Sequence, residues 1–339
     1  MQSQALWYVS PGRVELREEE IAPPKDREVQ VRALFGAISR GTERLVYCGG
    51  VPATEYERMR GPCMGGQFPF PVKYGYSIVG RVEAGPAHLH NRLVFALHPH
   101  QTVFNLPAAA VFPLPDDVAA ERAVLAANLE TAVNAVWDGA PGPADRIAVV
   151  GGGVVGLLVG YLCARLPGAE ATVIDIVPAR AELARAVCAR FAMPDAAPYD
   201  CDLVFHASGK GEGLRLALML AGDEASVIEL SWYGSADISV PLGAAFHSRR
   251  LRLVSSQVGK VAPSRRARWI PERRLAAALA LLRDPALDAL LAPSICFTDL
   301  PTQLAAVFDP NSVRVCQPIR YPPPLSSSAS GGASAGGRL

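Results

Sequence analysis

The sequence predicts an α/β protein that combines a doubly wound parallel sheet with a second, mostly-β region. Two observations predict this fold. Strand-like and helix-like segments alternate between about residues 147 and 255, which is typical of a parallel sheet with helices on both faces. The first third of the chain instead contains short alternating segments separated by Pro and Gly turns, as in β-rich domains.

The predicted strands of the first third are short, and they cover 13–16, 28–34, 76–82 and 93–97. A Gly- and Pro-rich loop at 48–70 lies among them. Helices are then predicted at 119–125 and 129–137, where the pattern changes. The Pro-, Ser- and Gly-rich residues 322–339 cannot bury enough apolar surface to fold, and we predict a disordered tail.

The second region predicts strands that alternate with helices. The strands are expected at 147–150, 171–174, 203–206, 227–230 and 251–255. The helices between them are expected at 154–166, 178–191 and 213–220. A further helix at 274–283, a short strand at 295–297 and a last apolar segment at 313–321 complete the chain.

The composition fits a folded protein of about two domains. The chain has 339 residues, of which 50% are hydrophobic, enough for a sizeable core. Lys and Arg number 33 and Asp and Glu 32, so the net charge of +1 argues against a nucleic-acid partner. The seven cysteines are scattered without a C-x-x-C pair, which favours reduced thiols and a cytoplasmic location.

The sequence predicts neither export nor a membrane partner. Residues 1–4 lack the basic and then apolar layout of a signal peptide. Residues 147–164 are uncharged and imitate a membrane span, but they contain several glycines and begin with a β-rich stretch. We interpret them as a buried strand, a glycine turn and a buried helix.

The segment Gly151-Gly152-Gly153-Val154-Val155-Gly156 matches the G-x-G-x-x-G pattern of dinucleotide-binding (Rossmann) folds. Gly151 permits the tight turn, Gly153 lets a diphosphate approach the backbone, and Gly156 lets the helix pack on the strand. The first-turn amides, including those of Val154 and Val155, would bind the phosphates. The alternative is a tight strand–helix turn that binds no nucleotide.

Other residues near the ends of predicted strands are cofactor-binding candidates. Asp175 can accept hydrogen bonds from a ribose diol and would repel a 2′-phosphate, which predicts NAD(H) rather than NADP(H). Arg180 complicates this prediction, because it could pair with a phosphate, stack on adenine or face solvent. Ser208 and the pair Ser231-Trp232 follow two later strands, where we expect contacts to the ribose and nicotinamide.

Two segments outside the glycine turn resemble the medium-chain dehydrogenase/reductase superfamily of alcohol-dehydrogenase-like proteins. Residues 36–43 are similar to the family's segment ending in Gly-Thr-Asp, and residues 70–82 to its Pro-x-x-x-Gly-His-Glu-x-x-Gly-x-Val segment. Residues 38–43 also resemble the bacteriochlorophyllide dehydrogenase branch. The resemblance covers about residues 1–321. It implies a discontinuous GroES-like catalytic domain, made of residues 1–120 and 265–321, around a Rossmann domain at 121–264.

The sequence departs from that family at its zinc ligands. The family's first Cys position falls on Arg40, or on Ser39 if the alignment shifts by one. Its His, Glu and later Cys positions fall on Tyr76, Ser77 and Ala127. None of these side chains would complete the usual ligand set of zinc, and the four-cysteine lobe for structural zinc is missing. We therefore predict a zinc-less member without a metal site.

The same alignment suggests four catalytic candidates. Thr42 matches the family's hydroxyl that contacts the reacting alcohol or the nicotinamide ribose. Tyr76 and Arg40, at the vacated metal positions, are candidates for polarising a carbonyl oxygen or relaying a proton. Glu43 could orient Arg40 through a charge-assisted hydrogen bond. Alternatively, Arg40 and Glu43 form a structural ion pair in place of the metal.

Four other polar residues have more than one interpretation. His98 and His100 lie two residues apart, but a His pair without a nearby carboxylate or thiolate is more often structural than metal-binding. His206 ends a predicted strand and could lie in the core or face the cofactor. Glu130 could line the cleft.

These features together predict an NAD(H)-dependent, zinc-independent oxidoreductase. It would transfer a hydride between nicotinamide and the alcohol/carbonyl pair of a small-molecule substrate. One alternative is an NADPH-dependent quinone or enoyl reductase, and another is a non-catalytic nucleotide-binding protein. The resemblance also implies a homodimer formed through the nucleotide-domain sheet.

Overall fold

The computed structural model describes residues 1–310 and 312–323. The N-terminal part is β-rich, with the strands β1 (Gln2–Ser10), β2 (Arg13–Glu20), β3 (Glu28–Ile38), β4 (Gly65–Gly66), β5 (Val72–Lys73), β6 (Ile78–Ala84), β7 (Leu93–Ala96), β8 (Val103–Pro107) and β9 (Val111–Pro113). The short helix α1 (Thr42–Tyr47) follows β3.

Strands and helices alternate in the middle of the chain, as predicted. The strands are β10 (Arg146–Val150), β11 (Glu170–Ile174), β12 (Arg190–Ala192), β13 (Cys201–His206), β14 (Ala221–Glu229) and β15 (Arg252–Ser255). The helices are α2 (Ala126–Gly139), α3 (Val154–Cys163), α4 (Arg180–Ala186), α5 (Gly211–Leu220) and α6 (Pro271–Leu281). The chain then continues with β16 (Ile295–Cys296), α7 (Leu300–Val307) and β17 (Gln317–Arg320).

The middle strands form a parallel sheet in the order β12-β11-β10-β13-β14-β15. Alternate residues of β10 belong to different apolar clusters: Ile147 and Val149 pack with α2 and α3, while Ala148 and Val150 pack with α5. Both faces of the central strand β10 are therefore buried, as expected for a doubly wound fold. The strand order reverses between β10 and β13, which creates the crevice where such folds bind ligands.

The β-rich strands form two further sheets, ordered β2-β1-β5-β4 and β16-β17-β3-β6-β7-β9, with β8 also paired to β3. β17 runs antiparallel to β3, with Ile319 opposite Gly36, so the chain returns to the β-rich part after the parallel sheet. Leu275 and Leu290 still pack in the cluster of α2 and α3, whereas Ile295 packs in the β-rich core. The apolar face of α6 therefore packs on α2, and the chain has rejoined the β-rich core by Ile295. The boundary at 265 stays a prediction.

Several predicted elements differ in the structure. The predicted helix at 119–125 is a 3-10 turn at Arg122–Leu125. The predicted helix at 178–191 ends at Ala186, because Cys188 has a φ of +64°, and Phe191 lies in β12. The sequence analysis missed β1 because its neighbours Ala5 and Leu6 are both buried, which breaks the alternation expected of a half-exposed strand.

The stretch 147–164 is β10, a turn and α3, as predicted. Within the described residues, no helix combines the length and apolar character needed to cross a membrane. Of the predicted tail at 322–339, only residues 322 and 323 are described. The rest of that prediction lies outside the described residues.

Candidate active site

The glycine turn after β10 has the geometry that the dinucleotide pattern requires. Gly151 has a φ of +110°, and a Cβ there would lie 2.6 Å from the amide nitrogen of Ser208. A Cβ on Gly156 would lie 1.8 Å from the carbonyl oxygen of Gly151, so only glycine fits there. A Cβ on Gly153, in contrast, would have no atom within 4 Å.

Open space therefore surrounds the residue that precedes α3. Gly153 is the N-cap and supplies no side chain to bond the helix amides. The first N–H groups of a helix, here beginning with Val154 and Val155, have no partner within the helix and attract anions. This arrangement fits a diphosphate without displacing any side chain.

Asp175 follows β11 directly and is almost fully buried. Its Oδ2 accepts hydrogen bonds from the amide of Gly152 (2.6 Å) and from Nη1 of Arg180 (2.5 Å), and its Oδ1 accepts one from the amide of Val177 (2.9 Å). Of the three interpretations of Arg180, none includes this ion pair, which partly neutralises the carboxylate. Nε of Arg180 is buried and has no hydrogen-bond partner within the described residues.

The carboxyl ends of β13 and β14 hold a buried polar network that the sequence analysis largely missed. Nδ1 of His206 lies 2.8 Å from Oε2 of Glu229, and Nε2 lies 2.6 Å from Oγ of Ser208. Glu229 also accepts hydrogen bonds from the amide of Ser231 (2.7 Å) and the hydroxyl of Tyr233 (3.0 Å). The network fixes the two loops on which the predicted residues Ser208 and Ser231 lie.

A glycine on α5 leaves room for this network. A Cβ on Gly213 would lie 2.1 Å from Oγ of Ser208 and 2.7 Å from Nε2 of His206. The sequence signal that could have predicted this network is Glu229 at the carboxyl end of β14. A carboxylate at the end of a buried strand requires a hydrogen-bond partner.

Tyr76 and Thr42, two of the catalytic candidates, are in contact. Tyr76 is partly buried between the two large apolar clusters, and the hydroxyls of Ser39 and Thr42 lie near enough to lower its pKa. Burial raises the pKa of Tyr76 to about 12, an effect to which Glu43 contributes and which these two hydroxyls oppose. Tyr76 is therefore a neutral hydroxyl donor at ordinary pH.

Glu43 does not orient Arg40, which corrects both interpretations of that pair. Glu43 is fully buried, and its Oε2 accepts hydrogen bonds from the hydroxyl of Tyr8 (2.8 Å) and from Nε2 of His100 (3.0 Å). Its Oε1 accepts a bond from the amide of Ser39 (2.8 Å). The carboxylate therefore fixes the turn before α1 from the β-rich side.

Arg40 instead binds the segment after α7. Its guanidinium donates hydrogen bonds to the carbonyl oxygens of Val307 (2.9 Å), Asp309 (2.7 Å), Ser312 (3.3 Å) and Arg314. These bonds connect the two distant stretches of chain that form the β-rich part. The catalytic candidate Arg40 is thus a structural cation.

The remaining polar candidates have structural roles. His98 stacks on Phe104 with ring centroids 3.7 Å apart and donates to the carbonyl of Pro99, and burial lowers its pKa to about 3. Glu130 does not line the cleft as suggested: it is buried and accepts a hydrogen bond from Nε of Arg274 (3.0 Å).

A cavity of about 600 Å³ brings several predicted residues together. Its wall includes Arg40 and Gly41 from the β-rich part and Ser208, Trp232 and Tyr233 from the loops after β13 and β14. Thr42 follows Gly41 directly at the start of α1. The cavity therefore lies between the two parts of the chain, at the carboxyl edge of the parallel sheet.

The residues at this site do not fit zinc. Glu43 and His100 bond to each other and to two tyrosines, and the side chains of Arg40, Tyr76 and Ser77 are not zinc ligands of the usual set. In the described part of the chain, no three His, Cys, Asp or Glu side chains converge as a metal site.

No protein-family model matches the chain, and no curated protein matches it. Solved structures do resemble it. L-idonate 5-dehydrogenase from Escherichia coli superposes with a TM-score of 0.77 and 15% identity over 94% of this chain and 98% of that one. A protein from E. coli CFT073 is described as a short chain alcohol dehydrogenase complexed with NADH. It superposes with a TM-score of 0.74 and 16% identity, over 94% of this chain and 98% of that one.

A third similar structure is a protein from Sinorhizobium meliloti assigned as a zinc-binding dehydrogenase and bound to NADP. It superposes with a TM-score of 0.74 and 15% identity, over 94% of this chain and 99% of that one. At such identities the likeness establishes the fold alone. The chain has the two-part α/β fold of these alcohol and polyol dehydrogenases, as predicted.

Proposed function

We propose that this protein is a zinc-independent oxidoreductase that uses NAD(H) to interconvert an alcohol and a carbonyl compound. The observation that carries the proposal is the glycine turn, where Gly153 faces open space at the N-terminus of a buried helix, beside Asp175. The fold shared with dehydrogenases bound to NADH or NADP supports it.

Bound nicotinamide would supply hydride exchange with the substrate carbon. The residues of the chain would hold and orient the cofactor. The first-turn amides of α3 would bind its diphosphate, and Oδ1 of Asp175, which accepts one bond from Val177, would accept another from a ribose hydroxyl. Ser208 and Trp232 would contact the nicotinamide end in the cavity.

Tyr76 would act on the substrate oxygen. Because its pKa is raised to about 12, its hydroxyl stays protonated and can donate a hydrogen bond to a carbonyl oxygen. The hydroxyl of Thr42, which lies near the phenol, would offer a second donor. Arg40 would not act on the substrate, because its guanidinium donates its hydrogen bonds to backbone carbonyl oxygens such as those of Val307 and Asp309.

Zinc independence rests on the identity of these side chains. The test is turnover of a panel of alcohols and ketones by protein dialysed against a strong chelator, with metal analysis of the undialysed protein. We expect activity to survive chelation. Stoichiometric zinc whose removal abolishes turnover would contradict the proposal.

The ion pair between Arg180 and Asp175 favours a second candidate, an NADPH-dependent quinone or enoyl reductase. A neutralised carboxylate repels a 2′-phosphate less, and Nε of Arg180 lacks a partner within the described residues. Steady-state kinetics with each reduced cofactor separates the two candidates. A clear preference for NADPH, with reduction of quinones or activated double bonds, would replace the first candidate with the second.

We further propose a small-molecule substrate, a cytoplasmic location and a homodimer. The cavity size suits a small molecule. Free thiols such as those of Cys48 and Cys63 are exposed, which suits a reducing compartment. β15 forms the edge of the parallel sheet, where a second copy could add its own β15.

A further inference from the structure

The cavity has a charge that hydride transfer alone does not explain. Cationic side chains from both parts of the chain line its wall: Arg40, Arg44, Lys210 and Arg215. Two carboxylates, Glu212 and Asp237, also line it; they are exposed to solvent, as are Lys210 and Arg215. The wall therefore has an excess of positive charge.

Three of these cations lack partners. Whereas Arg40 is bound to backbone carbonyls, the side chains of Arg44, Lys210 and Arg215 make no hydrogen bond or ion pair within residues 1–310 and 312–323. Arg44 is half-buried, which leaves it less surrounded by water than Lys210 and Arg215. A partly dehydrated cation without an acceptor is stabilised by a bound anion.

Arg40 also lies among an excess of positive charge. The pKa of Arg40 lies below its usual range because burial removes hydration and because Arg180 and Arg44 add like charge. The N-terminus of α5, a helix of ten residues, adds to the positive charge of the cavity. Its first residue, Gly211, lies on the cavity wall, so the positive end of the helix dipole points there.

The diphosphate of a cofactor has a different place. Its predicted site is the glycine turn before α3, and the residues described as lining the cavity include neither that turn nor Asp175. The cations of the cavity thus remain available to a second ligand.

We propose that this cavity binds an anionic group of the substrate, a carboxylate or a phosphate, through Arg44, Lys210 and Arg215. This inference rests on the proposed function and narrows it: the substrate is an anionic alcohol or carbonyl compound. The guanidinium groups of Arg44 and Arg215 suit both anions, because a guanidinium can donate two parallel hydrogen bonds to a carboxylate or a phosphate.

Isothermal titration calorimetry tests the inference with inorganic phosphate and D-gluconate as probes, at constant ionic strength and in saturating NADH. Sorbitol is the neutral counterpart of gluconate. We expect one or both anions to bind and sorbitol not to bind. The double variant Arg44→Gln/Arg215→Gln should weaken anion binding at least about tenfold, the scale of lost charge-assisted hydrogen bonds.

Arg58→Gln, which removes an arginine that is 82% exposed, is the matched control and should bind anions like the wild type. Lys210→Gln repeats the test if the double variant does not fold. Absence of anion binding, equal loss in Arg58→Gln, or competition between phosphate and NADH would each overturn the inference. If NADH fails to bind, the proposed function fails, and the same titrations on the protein alone still decide whether the anion site exists.

Discussion

At the scale of the residue, the hydroxyl of Tyr76 is proposed to act on the substrate oxygen. The phenol is partly buried near the hydroxyls of Ser39 and Thr42, and its raised pKa keeps it protonated. We predict that Tyr76→Phe lowers kcat for carbonyl reduction by about 10²–10³-fold, the usual effect of losing one positioned donor. The NADH dissociation constant should stay unchanged, because Tyr76 acts on the substrate. An unchanged kcat would exclude this role.

The pH dependence follows from the same residue. A group whose pKa is raised to about 12 is half deprotonated only near that pH, so Tyr76 remains a donor throughout the neutral and mildly alkaline range. We expect no fall in kcat for carbonyl reduction from the titration of Tyr76 between about pH 7 and pH 10. An inflection in that range that disappears in Tyr76→Phe would show that its pKa is lower than the structure indicates.

At the scale of the element, a substitution in the turn before α3 should change cofactor binding without lowering the stability of the fold. Gly153 has space for a side chain, and its φ of −72° suits any residue. Gly153→Asp should therefore fold, with a thermal midpoint equal to or above that of the wild type, because aspartate is a favourable N-cap. Its carboxylate should nevertheless repel the diphosphate and abolish NADH binding.

Gly153→Ser is the matched control for this test, since it adds a cap of similar size without the charge. It should keep more of the NADH affinity than Gly153→Asp does. Fluorescence titration with NADH and thermal denaturation measure both effects. Equal NADH affinity in wild type and Gly153→Asp would show that the diphosphate binds elsewhere.

The edge strand β15 carries the prediction of a homodimer. All four of its residues are exposed, with Leu253 at 39% and Val254 at 36%. An exposed edge of a parallel sheet offers unpaired backbone groups to a second copy. We expect light scattering to give twice the chain mass and Leu253→Lys to shift the protein toward monomer. Met219→Lys, at an exposed position of α5, is the control. A monomeric wild type would contradict the prediction.

At the scale of the molecule, local patterns predicted the parallel sheet well. Its strands are continuous apolar runs bounded by turns, and the glycine turn before α3 is a local motif. The β-rich part was harder, because β1 lacks a clear alternation and also pairs with β5, which lies far away in sequence. The end of α4 depended on the positive φ of Cys188, which the sequence did not signal.

In the candidate site too, contacts between residues close in sequence were predicted, and contacts between distant residues were not. The glycine turn and Asp175 follow from spacing, and the structure brings them together. The partners of Glu43, which are Tyr8 and His100, lie far away in sequence, so proximity in sequence wrongly favoured Arg40. The His206–Glu229 pair likewise joins two strands that only the folded sheet makes neighbours.

The central claim is that a nicotinamide nucleotide binds with its diphosphate against the first turn of α3. A direct titration of the purified wild-type protein with NADH and with NADPH, followed by calorimetry, tests it most directly. The account predicts saturable binding of one nucleotide per chain, tighter for NADH than for NADPH. Failure of both nucleotides to bind would contradict it.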